Sequence, residues 1–126
     1  MSSEQLENFE ELARRAVACK RWRWMPGMRY QVGGTVGRLT DSQCKGKLPL
    51  VAETRPDLSD PATLGCLLAL VREAWKNHTM SCFFDHADVA WSEYPWAVKL
   101  VGLRVVTGAY GQTEAGALVA ALEAAP

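Results

Sequence analysis

Apolar positions in this chain recur at helical spacing in three stretches and cluster in short runs between them. From residue 3 to 21, Leu6, Phe9, Ala13, Ala16, Val17 and Lys20 follow a 3–4 spacing, with Leu12 and Cys19 widening the stripe, which predicts a first helix. Ser2 with Gln5 reads as its capping box, and Glu4 and Glu7 suit the positive end of the helix dipole. The Trp24-Met25-Pro26-Gly27 stretch should end it, because proline biases the preceding residue toward extended backbone and glycine accepts a turn. A second stripe, Leu64, Leu67, Leu68, Val71, Ala74 and Trp75, is flanked by Cys66, Ala69 and Leu70, so this helix should be covered on more than one side. Asp60 is placed to cap it, Pro61 to occupy its first turn, and Asn77-His78 to close it. Thr113 caps a last helix over 114–124, with Leu118, Val119, Ala121 and Leu122 as its packing face.

The runs between the helices read as strands. Met28 to Leu39 forms two around Gly33-Gly34, a hairpin signal, and Thr40 to Lys47 reads as a polar loop. Leu48 to Thr54 is expected as a third strand, held at a sheet edge by Pro49. Met80–Asp85, Trp96–Val101 and Leu103–Thr107 follow, rich in valine, phenylalanine and tryptophan. The order predicts an α+β fold: one antiparallel sheet with three helices packed mainly on one face.

Length and composition add bounds. A chain of 126 residues fits one compact domain, and 48% hydrophobic with 22% charged residues is ordinary globular usage. No apolar run approaches the ~20 residues that span a bilayer, and the acidic, periodic start is the reverse of a signal peptide. An intracellular, soluble protein is expected. Cys19, Cys44, Cys66 and Cys82 lack any CxxC pairing and read as reduced thiols.

Charge changes the picture more. Net charge is zero, yet residues 13–55 carry ten of the fourteen cations against only Asp41 and Glu53. Both flanking segments are net negative. A positive middle of this kind is either an anion-facing surface or a set of charges neutralised by distant acids in the fold.

Three stretches together, ARRAVACKRWRWMPGM at 13–28, PDLSDPATLGCLLALVREAW at 56–75 and TEAGALVAALEAAP at 113–126, cover 50 of the 126 residues. In this order they resemble a family of small proteins carried by tailed bacteriophages and prophages. The family supplies no catalytic residues to carry over. The resemblance implies a phage context, action in the host cytoplasm, and a shared scaffold whose variable segments, here 29–55 and 76–112, hold specificity. Accessory phage proteins of this size include inhibitors of host defence such as anti-CRISPR proteins, so by analogy a host defence effector is the expected partner.

The candidate contact residues fall in two groups. Lys20, Arg21, Arg23, Arg29, Arg38, Lys45 and Lys47 could neutralise phosphates while Trp22 or Trp24 stacks on bases. The favoured reading is architectural: the tryptophans anchor the helix end while the cations snorkel or complement its dipole. In the second group Trp91 and Tyr94, with Trp96 around a proline, have hot-spot composition. They could equally be residues of which only one shows. His78, Cys82, Asp85, His86 and Asp88 are metal-type ligands, and Cys82-x3-His86 has a plausible spacing, but no second pair completes a four-ligand zinc site. No nucleophile elbow, P-loop, HExxH or GxGxxG is present. Cys82 with His86 is the one conceivable nucleophile–base pair. The reading is therefore a non-enzymatic protein without metal or cofactor that binds a host protein, with the basic 29–55 insert and the 85–96 loop making the contact. The alternatives are a nucleic-acid or nucleotide binder using the basic 20–47 region, and an oligomeric component of the phage particle.

Overall fold

The computed structural model describes residues 8–45, 52–84, 96–100 and 105–126. Its element order is α1 (Phe9–Ala18), β1 (Arg29–Val32), β2 (Thr35–Arg38), α2 (Asp41–Lys45), β3 (Arg55–Pro56), α3 (Pro61–Ala74), β4 (Met80–Phe84), β5 (Trp96–Leu100), β6 (Val105–Gly111) and α4 (Glu114–Ala124). The class is α+β, as the sequence predicts. The arrangement differs: the strands form two separate three-stranded antiparallel sheets, β2-β1-β3 and β4-β5-β6, rather than one.

Capping chemistry sets most helix boundaries. Asp60 accepts from Thr63 N–H at 3.0 Å and Pro61 follows it, starting α3 where expected. Thr113 Oγ1 accepts from Gly116 N–H at 3.0 Å and starts α4. In α1 the cap is Asn8, which accepts from Glu10 and Glu11 N–H; the Ser2–Gln5 capping box lies outside the described residues. α1 also stops at Ala18, before Lys20 and Arg21. One helix was unexpected. Thr40 to Lys47, read as a loop, contains α2, begun by a reciprocal capping box. Thr40 Oγ1 accepts from Gln43 N–H at 3.2 Å, and Gln43 Oε1 accepts from Thr40 N–H at 2.9 Å.

In the first sheet β1 and β2 form the expected hairpin, with Val32 opposite Thr35 and Gly33 at a φ of 59° in the two-residue turn. The third strand is Arg55–Pro56, later than the expected Leu48–Thr54, most of which lies outside the described residues. Pro56 tolerates this place because β3 is an edge strand. In the second sheet Met80 pairs with Leu100, Phe84 with Trp96, and Trp96 in turn with Gly111.

The core is built round α4. α4 is buried nearly all round, with Ala115 to Val119, Ala121 and Leu122 inaccessible. It packs on β4, β5 and β6 and also against α1 and α3. Its composition explains this: between Glu114 and Glu123 it has no charged residue, so no side needs water. Leu67, Leu70 and Val71 of α3, Leu12 and Ala16 of α1, Val98 and Met28 belong to the same cluster. One buried carbonyl in the last turn of α4 is also satisfied. A helix leaves its last carbonyls without partners, and the indole N–H of Trp75 donates to one of them, Ala121 O, at 2.8 Å.

Candidate functional site

The basic segment folds into two clusters. At the first, α1 and α4 end side by side. The cap of each, Cys19 and Ala125, turns to extended backbone. Arg15 clamps the two ends through a bidentate pair with Glu123, Nε to Oε2 at 3.0 Å and Nη2 to Oε1 at 2.6 Å. Arg21 donates to a main-chain oxygen of Pro126 and helps Arg23 lower the pKa of the Glu73 carboxyl. Arg15 and Arg21 therefore sit near helix C-termini, where positive charge is favoured. Arg23 reaches α3 instead and pairs with Glu73, holding that carboxyl below the usual range. Among these residues lies an open cleft of about 600 Å³ whose wall includes Ala18, Cys19, Lys20, Arg21, Leu122 and Glu123. The Cys19 thiol donates to Arg15 O, and its pKa is raised, chiefly by burial and secondly by Glu123, against the opposing effect of Arg15.

Trp22 and Trp24 leave this corner and pack half-buried against the core, their rings edge to face at 5.3 Å. The indole N–H of Trp22 is buried and has no hydrogen-bond partner among the described residues. Both tryptophans thus pack against the core, as the architectural reading of this stretch expects.

The second cluster surrounds the start of α3. Arg29 and Arg38 face each other across the β1–β2 ladder, where two like charges would repel. Each is answered by an aspartate: Arg29 by Asp57 at 3.4 Å, and Arg38 by Asp60 through two 2.9 Å contacts. Arg38 also donates to Gly27 O at 2.6 Å. Asp60 accepts from the hydroxyl of buried Thr63 at 2.9 Å, and that hydroxyl in turn accepts from Arg29 N–H at 2.8 Å. Hydrogen bonds from Arg38, aided by those from Thr63, hold the Asp60 carboxyl well below the usual carboxylate range.

Of the seven arginines between residues 13 and 55, five thus face carboxylates, Arg14 with Glu11 included. Arg55 donates to the Ala52 and Thr54 carbonyls. Lys20 makes no ion pair among the described residues. The predicted contact residues are accordingly divided: Arg21 lines the cleft of the first cluster, Arg23 pairs with Glu73 on α3, and Arg29 and Arg38 come together at the second cluster. The Lys45 side chain, Lys47, Trp91 and Tyr94 lie outside the described residues. The chain matches no family model, no curated protein and no solved structure.

The metal-type residues divide as well. His78 is exposed, whereas Asp85, His86 and Asp88 lie outside the described residues; among those described, no three candidate ligands converge. Cys82 donates to Glu114 O at 3.8 Å, and burial, followed by Glu114, pushes its thiol up to about 12. That is opposite to what activates a nucleophilic cysteine. In an iodoacetamide time course at mildly alkaline pH, read by mass spectrometry, native Cys82 should label more slowly than in the unfolded chain by a factor of about a hundred or more. Equal rates would contradict this placement.

Proposed function

We propose that this protein is a non-enzymatic accessory protein, of the phage kind its sequence resembles, which acts by binding a protein of its host. A component of host defence is the expected partner and the host cytoplasm the expected place. The observation that carries the reading is the internal pairing of the basic segment: guanidinium groups bound to Glu123, Glu73, Asp57 and Asp60 are not available to neutralise a run of phosphates. The half-buried, mutually packed Trp22 and Trp24 support it too, since base stacking needs an open ring face. What is left for recognition is scaffold surface and the 85–95 segment with Trp91 and Tyr94.

The experiment is affinity capture from host lysate with the purified protein and with a Trp91→Ala/Tyr94→Ala double variant. The expected result is a specific protein partner, retained through a nuclease treatment and lost or strongly reduced with the variant. No specific partner, or capture that disappears with nuclease, would overturn the reading.

A further inference from the structure

We draw no further inference here: the strongest candidate, the pair of half-buried thiols Cys44 in α2 and Cys66 in α3 as a redox-sensitive link, rests only on titration, the pKa of Cys66 being raised by burial and then by Cys44.

Discussion

Gly111→Ala is expected to destabilise the fold by about 3 kcal/mol, at the upper end of the usual cost of overpacking. Gly111 ends β6, pairs with Trp96 and is buried against the first turn of α4. A Cβ there would overlap the backbone nitrogen of Ala117 and stand 2.6 Å from the carbonyl carbon of Gly116. Those are main-chain atoms of a helix buried on nearly every side, so neither partner can swing away as a side-chain tip could. Relief would require moving β6 off α4, the contact on which the second sheet depends. Gly65→Ala is the matched control. Gly65 is exposed within α3, and an added Cβ meets nothing within 4 Å. There alanine should stabilise by about 0.5–1 kcal/mol through helix propensity. Urea unfolding followed by circular dichroism reads both, and midpoints displaced in the same direction would contradict the packing described for α4.

Asp60→Ala should have the next largest effect, about 1–2 kcal/mol from the lost helix cap alone. The same carboxylate caps α3, fixes the hydroxyl of Thr63 and binds Arg38 at both oxygens. The pH dependence follows from the depressed pKa. Asp60 titrates lower in the folded chain than the roughly 3.9 of an unfolded aspartate. Its contribution is therefore complete above the unfolded value and is lost as pH falls through the acid range toward the folded one. Asp60→Asn keeps a capping oxygen but cannot carry the charge. It should cost less than alanine at neutral pH and flatten the loss of stability below pH about 4. Unfolding midpoints at neutral and acid pH check this. A wild type and an Asn variant with the same acid profile would show that the Arg38 pair contributes nothing.

How much of this was legible in the sequence depended on whether the signal was local. Asp60 and Thr113 mark helix starts within a few residues, and α3 and α4 begin where those residues place them. The β1–β2 hairpin follows from Gly33-Gly34 in the same way. Thr40 with Gln43 carried an equally local signal, a capping box, and the polarity of its neighbours obscured it. Sheet membership was not legible. Periodicity identifies a strand but not its partner, so nothing near Tyr30 announced Pro56 opposite it, or the separation of two sheets.

The charges follow the same rule. The positive middle and negative ends were plain, and neutralisation by distant acids was one of two readings. Which one held depended on contacts such as Arg15 with Glu123 and Arg23 with Glu73, made between elements far apart in the chain. The cleft shares this origin. Lys20 and Arg21 stood out as cations, but Leu122, Ala125 and the two helix ends join them only through the packing of α4 on α1.

The central claim is that the arginines of the basic segment hold the fold together and do not face a polyanion. Its most direct measurement is a salt titration of the protein against labelled duplex DNA and RNA by fluorescence anisotropy. With most guanidinium groups answered internally, binding should be weak at physiological salt, and the slope of log affinity against log salt no steeper than about −2. Tight binding at physiological salt with a slope of about −4 or steeper would mean that those groups leave their carboxylates for phosphates, and would contradict the account.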